Sequence, residues 1–250
     1  MRLFGLIGYP LSHSFSKRYF AEKFEKEGIE DAKYELFEIE SIDKLPEVLN
    51  SNQSLQGLNV TIPFKQKIFD YLDDIDFYAK EIGAVNVVKI TDGKLKGYNS
   101  DFYGFKVSLE QFLGANQDYT QMGALVLGSG GASKAVAAAL KALGISYSIV
   151  SREKSRANFV TYKELEVEIL AANKLIINTT PLGMYPKIDT APPIPYEFLT
   201  ANHYLYDLVY NPEYTQFMQK GVLVGAKVIN GMPMLILQAE KSWDIWNENK

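Results

Sequence analysis

A glycine-rich turn lies in the middle of this 250-residue chain, between a short apolar strand and an alanine-rich helix. Residues 124–127 (ALVL) predict a buried strand, residues 128–133 (GSGGAS) the turn, and residues 134–143 the helix, which Gly144 ends. Glycines let a backbone approach a phosphate closely, and the amides and dipole of a helix N-terminus stabilise negative charge. More than a hundred residues precede the turn. The pattern therefore predicts a nucleotide site with a separate domain in front of it.

The glycine pattern alone is a weak signal, because Ser133 stands where G-x-G-x-x-G has its third glycine. An ordinary tight turn is the alternative interpretation. The next segment, residues 147–150 (YSIV), predicts the second strand of a dinucleotide fold. It ends at Ser151 and Arg152, where such folds meet the adenosine ribose. This context favours a dinucleotide over a bare turn.

The charged residues after this strand bear on which dinucleotide binds. An arginine at this position can pair with the 2′-phosphate of NADP, whereas an acid binds the ribose hydroxyls of NAD. Arg152, Lys154 and Arg156 favour the phosphate, and Glu153 favours the unphosphorylated ribose. The sequence favours NADP and leaves NAD open.

The composition excludes several kinds of site. The chain has no cysteine and only His13 and His203, so neither disulfides nor a metal site is predicted. A net charge of −4 without a lysine–arginine run gives no reason to expect a nucleic-acid or membrane partner. No run approaches the ~20 apolar residues of a membrane span, and residues 3–8 are too short for a signal-peptide core. We expect a cytoplasmic protein, monomeric or homodimeric, that acts on a small molecule.

The first hundred residues alternate strands and helices, which predicts an α/β domain with a mixed, mostly parallel sheet. The last two strands form a hairpin through Asp92 and Gly93, a strong turn pair. A helix over residues 101–113 then leads to the second domain. The predicted strands are residues 2–8, 34–39, 56–61, 84–90 and 94–98, and the predicted helices are residues 14–27 and 43–50.

The second half predicts a Rossmann-type dinucleotide-binding domain. Only residues 152–157 separate the strand predicted at 158–162 from the one before it. A parallel crossover normally needs about a dozen residues, so no crossover helix is expected there. A final helix over residues 232–246 is expected to return to the first domain. The remaining strands are predicted at residues 174–178, 204–209 and 226–229.

Four further stretches are rich in hydrogen-bonding side chains where loops meet strands. Ligands of open α/β sheets bind at the carboxyl ends of strands, and this set of hydroxyls, carboxamides, one lysine and one carboxylate suits a small polyhydroxylated molecule. Singly, Ser14 and Asp101 could be helix N-caps, and Asn86 and Asn99 could be turn formers. The stretches are residues 8–16 (GYPLSHSFS), 57–65 (GLNVTIPFK), 83–86 (GAVN) and 97–101 (GYNSD).

In this order, the motifs closely resemble those of the shikimate dehydrogenase family along nearly the whole chain. Six or more motifs in the right order make the resemblance specific. The matching motifs are PLSHSFS (10–16), NVTIPFK (59–65), GAVN (83–86), NSD (99–101), GSGGAS (128–133), NTTPLGM (178–184), DLVYNP (207–212), and NG (230–231) leading to QA (238–239).

The resemblance implies reversible, NADPH-dependent reduction of 3-dehydroshikimate to shikimate in aromatic amino-acid biosynthesis. It implies a substrate-binding catalytic domain at residues 1–100 and 232–250, an NADP-binding domain at 101–231, and a catalytic pair, Lys65 and Asp101. The implied substrate-binding residues are Ser14, Ser16, Asn59, Thr61, Lys65, Asn86, Asp101, Tyr210 and Gln238. The implied cofactor-binding residues are Gly128, Ser129, Gly130, Gly131, Ala132, Ser151, Arg152, Arg156, Thr179, Leu208 and Gly231.

The residue types agree with this chemistry. Hydride transfer to a ketone creates an alkoxide, which Lys65 as an ammonium can stabilise and protonate while Asp101 orients the lysine. Two alternatives stay open. One is an NAD-dependent quinate/shikimate dehydrogenase in which Glu153 holds the ribose. The other is a non-catalytic sensor of shikimate-type ligands, against which the presence of both Lys65 and Asp101 argues.

Overall fold

The computed structural model describes residues 1–11, 14–114, 118–153 and 158–248. The chain divides into two compact units. Unit 1 comprises Met1–Ser100 and Gln238–Lys250, and unit 2 comprises Asp101–Leu237. In the described residues each unit contains one six-stranded sheet. Within those same residues, no helix is long and apolar enough to cross a membrane.

The sheet of unit 1 is mixed, with the strand order β2-β1-β3-β5-β6-β4. Strands β2, β1 and β3 run parallel, β5 is antiparallel to both β3 and β6, and the short β4 is parallel to β6. The strands are β1 Arg2–Gly8, β2 Ala32–Glu38, β3 Leu55–Val60, β4 Asp74–Ile75, β5 Val87–Thr91 and β6 Lys94–Tyr98. The helices are α1 Phe15–Glu27, α2 Leu45–Ser51 and α3 Phe77–Ile82, with 3₁₀ turns at Ile42–Lys44 and Lys67–Tyr71.

Two hydrophobic clusters form the core of unit 1. Because side chains alternate along a strand, β1 contributes Phe4 and Leu6 to one cluster and Ile7 to the other. The first cluster is mainly aromatic, and the second packs Leu45 of α2 and Ile68 against the sheet. The aromatic members of the first cluster are Phe4, Phe20, Phe24, Tyr34 and Trp246, with Trp243 packed against them.

The last helix, α8 (Met232–Asn247), anchors its C-terminal part in unit 1. Trp246 stacks on Phe4 with ring centroids 4.8 Å apart, and its indole N–H donates to the Val88 carbonyl at 3.0 Å. A β-carbon at Gly57 would lie 2.2 Å from the indole nitrogen, so only glycine admits this ring. The Lys23 ammonium of α1 also pairs with Glu240 of α8 at 2.8 Å. The prediction that the final helix returns to the first domain is confirmed.

The sheet of unit 2 is parallel throughout, in the order β12-β11-β10-β7-β8-β9. Its central strands β7 and β10 are fully buried, which is why their sequences are continuous apolar runs. The strands are β7 Gly123–Leu127, β8 Ser146–Ser151, β9 Phe159–Thr161, β10 Leu175–Asn178, β11 Tyr204–Asp207 and β12 Lys227–Ile229. The helices are α4 Ser100–Leu113, α5 Gly131–Ala142, α6 Val167–Ala172 and α7 Gln216–Leu223.

The predicted α/β architecture, with a mixed first sheet and a Rossmann-type second sheet, is confirmed. The helix predicted at residues 43–50 is instead a 3₁₀ turn followed by α2, with Pro46 near the start of α2. Four short elements, each of eight residues or fewer, were not predicted from the sequence: β4, α3, α6 and α7. Strand β9 pairs parallel to β8 as expected. Residues 154–157 lie outside the described residues, so the lack of a crossover helix there stays a prediction.

Candidate active site

The glycine turn lies at the topological switch point of the second sheet. Strand β7 has β8 on one side and β10 on the other, and ligands of open α/β sheets bind where the strand order reverses in this way. Gly128 begins the turn after β7, and Thr179 follows β10. Both the N–H and the hydroxyl of Thr179 donate to the carbonyl of Leu127, at 3.0 and 2.8 Å. These bonds hold the two loops side by side.

The start of α5 fits a pyrophosphate. Its N-cap, Gly130, supplies no side-chain cap to the first turn. A β-carbon built on Gly130 or Gly131 would meet no atom of the described residues within 4 Å beyond its chain neighbours and the helix's own backbone. Ser129 and Ala132 on either side are exposed. The first amides of a 12-residue helix therefore face open space, where its dipole and N–H groups favour an anion.

Ser133 explains why the third glycine of the motif can be replaced. Its side chain is 2% exposed, and its hydroxyl donates to the Gly130 carbonyl at 2.6 Å. A glycine at this position serves close packing of helix on strand, and a hydroxymethyl group is small enough to preserve that packing. The imperfect G-x-G-x-x-G is thus compatible with the dinucleotide fold.

The proposed ribose-phosphate residues lie at the end of β8 and just beyond it. The Ser151 hydroxyl donates to the carbonyl of Glu153, and Arg152 is exposed beyond the strand end. Arg152 lies near Tyr162: burial raises the pKa of this tyrosine, and the positive charge of Arg152 partly offsets the rise. Arg156 lies outside the described residues, so its role stays a prediction.

A buried polar network holds the loops after β10 and β11. Asp207 is fully buried, and its carboxylate accepts hydrogen bonds from the Thr215 hydroxyl at 2.6 Å, the Asn178 amide at 2.9 Å and the Val209 N–H at 3.0 Å. Burial raises the pKa of Asp207 to about 6, and these three donors oppose the rise. Leu208, the proposed neighbour of the nicotinamide, lies within this network and donates its N–H to the Asn178 carbonyl at 3.0 Å.

The first sheet has a switch point of its own, at the carboxyl ends of β1 and β3. The Thr61 N–H donates to the Ile7 carbonyl at 2.9 Å, and the Tyr9 N–H donates to the Ile62 carbonyl at 3.1 Å. The loops after the two strands therefore run side by side. Lys65, half-buried, lies four residues beyond Thr61 in the second of these loops.

The first loop leads into α1. The Ser14 hydroxyl accepts the Lys17 N–H at 3.4 Å, so Ser14 is the N-cap of this helix. Ser14 can cap the helix and still bind a ligand, because its hydroxyl oxygen has a further lone pair and carries a proton. Ser12 and His13, in the same loop, lie outside the described residues.

A chain of buried side-chain hydrogen bonds joins three of the proposed substrate-binding residues in unit 1. Tyr34 interacts with the Ser16 hydroxyl and donates to Asn59 Oδ1 at 2.7 Å. Asn59 Nδ2 donates to the Ser242 hydroxyl at 2.9 Å, and this hydroxyl lies 3.4 Å from that of Ser100. Ser100 in turn is bonded to the third of the three, Asn86. We call this chain, from Ser16 to Asn86, the polar chain.

The other proposed residues have defined places. Asp101 is buried in the first turn of α4 and Tyr210 is half-buried after β11, both in unit 2. Gln238 is half-buried in α8, at the start of the second segment of unit 1. Lys65 and Asp101 belong to different units, so their pairing stays a prediction.

Three members of the polar chain were not among the site residues predicted from the sequence: Tyr34, Ser100 and Ser242. Ser242 had one detectable signal: it lies four residues after Gln238, on the same face of a predicted helix. Ser100 stands between two residues that were singled out. Tyr34 gave no signal, because a tyrosine in an alternating strand is an ordinary core residue.

Unit 2 has a parallel sheet with a phosphate-binding turn at its switch point. Unit 1 is an α/β unit with hydroxyl, amide and ammonium groups at its own switch point. Together these features define a pyridine-nucleotide-dependent oxidoreductase. The model of the shikimate dehydrogenase substrate binding domain matches residues 6–88. Shikimate dehydrogenase (NADP(+)) of Clostridium beijerinckii is 42% identical, covering 99% of this chain and 93% of that protein. The protein of the same name from Methanococcus aeolicus is 39% identical, covering 98% and 91%.

A solved structure is also similar. Shikimate 5-dehydrogenase from Thermus thermophilus, in complex with NADP(H) and shikimate, superposes with a TM-score of 0.85 at 31% identity, covering 99% of this chain and 94% of that one. The chain belongs to the NADP(+)-dependent shikimate dehydrogenase family. It is an oxidoreductase acting on a CH–OH group, with NADP as its cofactor.

Proposed function

We propose that this protein catalyses the reversible NADPH-dependent reduction of 3-dehydroshikimate to shikimate in the shikimate pathway. The match to the Clostridium beijerinckii enzyme, over almost the whole of both chains, carries the proposal. The loops that follow β1 and β3 add support, because they contain hydroxyl groups and an ammonium group that suit a polyhydroxylated acid.

Seven of the nine proposed substrate-binding residues belong to unit 1, and the other two, Asp101 and Tyr210, belong to unit 2. The serine hydroxyls at the start of α1 suit a carboxylate, because a helix N-terminus adds favourable amides and dipole. Carboxamides suit vicinal hydroxyls, because each amide offers both donors and an acceptor. The proposed substrate-binding residues are Ser14, Ser16, Asn59, Thr61, Lys65, Asn86, Asp101, Tyr210 and Gln238.

Lys65 and Asp101 are the proposed catalytic pair. Reduction of the substrate ketone places negative charge on its oxygen, and a lysine ammonium beside that oxygen stabilises the charge and delivers the proton. In the reverse direction, the neutral amine accepts the proton of the hydroxyl. The role that we propose for the Asp101 carboxylate is to orient the lysine.

The residues at the switch point of unit 2 fit NADP, which supplies the hydride when bound. The open N-terminus of α5 is suited to the pyrophosphate, and Arg152 to the 2′-phosphate. Thr179 and Leu208 follow the neighbouring strands β10 and β11, and we assign them to the nicotinamide half of the cofactor. The proposed cofactor-binding residues are Gly128, Ser129, Gly130, Gly131, Ala132, Ser151, Arg152, Arg156, Thr179, Leu208 and Gly231.

An absorbance assay of reduced cofactor, with shikimate and quinate each offered with NADP and NAD, tests the proposal. We expect the highest kcat/KM for shikimate with NADP. A higher kcat/KM for quinate with NAD would replace the proposal with a quinate/shikimate dehydrogenase. Binding of shikimate without turnover in any combination would instead support a ligand sensor.

A further inference from the structure

We infer that Tyr34 and Ser242 are positioning residues, which fix the orientation of the Asn59 and Asn86 carboxamides toward the substrate. The inference rests on the proposed function, since it presumes that these two carboxamides contact shikimate. Neither hydroxyl need touch the ligand itself. Tyr34 is 5% exposed and Ser242 is 1% exposed, and neither is among the proposed substrate-binding residues.

Asn59 is held in one orientation of its amide. Its Oδ1 accepts from the Tyr34 hydroxyl at 2.7 Å, while its Nδ2 donates to Ser242 at 2.9 Å and points toward the Asn86 carbonyl at 3.4 Å. A flipped amide would set Oδ1 against that carbonyl, which is itself an acceptor. It would also set Oδ1 against a Ser242 hydroxyl whose proton is used elsewhere. The surroundings therefore admit one amide orientation.

Ser242 is the branch point of the polar chain. Its hydroxyl proton goes to the carbonyl of Gln238 at 2.8 Å, one helical turn earlier. Its oxygen accepts from Asn59 and lies 3.4 Å from the Ser100 hydroxyl, whose single proton has two acceptors at 3.4 Å, Ser242 Oγ and Asn86 Oδ1. One hydroxyl thus ties β3, α8 and the start of α4 together within unit 1.

Asn86 is oriented by the far end of the polar chain. Its Nδ2 donates to the Ser100 hydroxyl at 3.0 Å, and its Oδ1 accepts the Ser100 N–H at 2.7 Å. Both polar atoms of the Asn86 carboxamide therefore have a hydrogen-bond partner. The residue is also buried, at only 4% exposed. The Ser100 hydroxyl in turn lies 3.4 Å from the Ser242 hydroxyl, which links it to the rest of the polar chain.

Packing alone does not require these hydroxyls. The Tyr34 ring stacks on Phe20 with centroids 4.6 Å apart, and a phenylalanine ring would make the same stack. An alanine at position 242 would keep α8 helical. Placing hydroxyls in an aromatic cluster gains stability only when they are hydrogen-bonded, so their specific effect here is to orient two amides.

Tyr34→Phe and Ser242→Ala test the inference, with calorimetric Kd values for shikimate and NADP as the readouts. We expect each variant to weaken shikimate binding about 5- to 20-fold while the Kd for NADP stays within about twofold, because only unit 1 residues lose a partner. The matched controls are Tyr206→Phe and Ser108→Ala. These two fully buried hydroxyls contact each other at 2.6 Å in unit 2, outside the proposed site, and we expect shikimate affinity to be unchanged.

A double-mutant cycle separates positioning from a general loss of stability. In an Asn59→Ala background, Tyr34→Phe should cause little further loss of shikimate affinity, because its effect passes mainly through Asn59. Wild-type shikimate affinity for Tyr34→Phe and Ser242→Ala, or an equal loss in the two controls, would overturn the inference. If the wild-type protein itself binds no shikimate, the proposed function fails instead.

In that case the NMR side-chain amide resonances of Asn59 and Asn86, recorded without ligand, decide the inference on their own. Unchanged shifts and exchange rates in both variants would overturn it. We expect faster hydrogen exchange of the Asn59 amide in both variants, and of the Asn86 amide in Ser242→Ala.

Discussion

Gly231 lies against the backbone of Leu208 so closely that a β-carbon on residue 231 would stand 2.1 Å from the Leu208 carbonyl oxygen. Such a carbon would also stand 2.7 Å from the carbonyl carbon, and backbone cannot move aside as a flexible side chain can. The Gly231 N–H donates to the Val209 carbonyl at 3.1 Å, which fixes the approach. The residue proposed to flank the nicotinamide is therefore positioned by a glycine that follows β12.

Gly231→Ala should displace Leu208 and weaken cofactor use. We expect the KM for NADPH to rise about tenfold or more, with a smaller change in the KM for shikimate. Gly221→Ala is a suitable control, since its new β-carbon would meet mainly the far end of the Leu205 side chain, at 2.6 Å, and not backbone. Equal effects of the two substitutions on NADPH kinetics would show that general destabilisation, not the contact with Leu208, is responsible.

Lys65→Met should remove proton transfer while keeping most of the length of the side chain. We expect kcat to fall by about 10²- to 10⁴-fold with little change in the KM for shikimate, as for loss of a general acid–base group. Steady-state kinetics in both directions measure this. Lys67→Met, two residues along the chain and exposed, should leave kcat unchanged. A Lys65→Met variant with near wild-type kcat would exclude Lys65 from the reaction.

Arg152→Ala should affect the KM for NADPH and the KM for NADH differently. Loss of a guanidinium that pairs with the 2′-phosphate removes a charge-assisted bond, so we expect the KM for NADPH to rise far more than the KM for shikimate. The KM for NADH should change little, because NADH lacks this phosphate. An unchanged KM for NADPH would show that the phosphate is held by another group.

The two sheets and the glycine turn were predictable because local signals there agree with the fold. Strand β7 is continuously apolar, α5 is rich in alanine, and Asp92 and Gly93 both adopt positive φ, as the predicted hairpin turn requires. The short elements were not predictable, because a six-residue helix such as α3 or α6 has little periodicity to detect.

The residues of the proposed site also divide into those that a local sequence pattern predicts and those that it does not. Residues such as Lys65 and Gly130 stand in contiguous motifs, so the sequence alone singled them out. The hydrogen bond between Tyr34 and Asn59 joins residues 25 positions apart, and that between Asn59 and Ser242 joins residues 183 apart. Such pairs exist only after the sheet and α8 have formed, and no local pattern in one sequence encodes them.

The buried carboxylate of Asp207 gives the stability of unit 2 a distinct pH dependence. Its pKa is raised to about 6 in the folded protein, against about 3.9 in an unfolded chain. The unfolded state therefore loses the proton first as pH rises, and the contribution of Asp207 to stability falls between about pH 4 and pH 6. Above about pH 6 the ionised Asp207 carboxylate lowers the free energy of unfolding by a constant amount, on the order of 3 kcal/mol.

Asp207→Asn should remove this dependence. The asparagine Oδ1 can still accept from Asn178 and Val209, and its Nδ2 can donate to the Thr215 hydroxyl. Relative to wild type, the melting temperature of the variant should rise as pH increases from about 4 to 6 and then level off. Asp189→Asn, an exposed aspartate in the same unit, should show no such trend. A difference between Asp207→Asn and wild type that stays constant from about pH 4 to pH 7 would contradict the raised pKa.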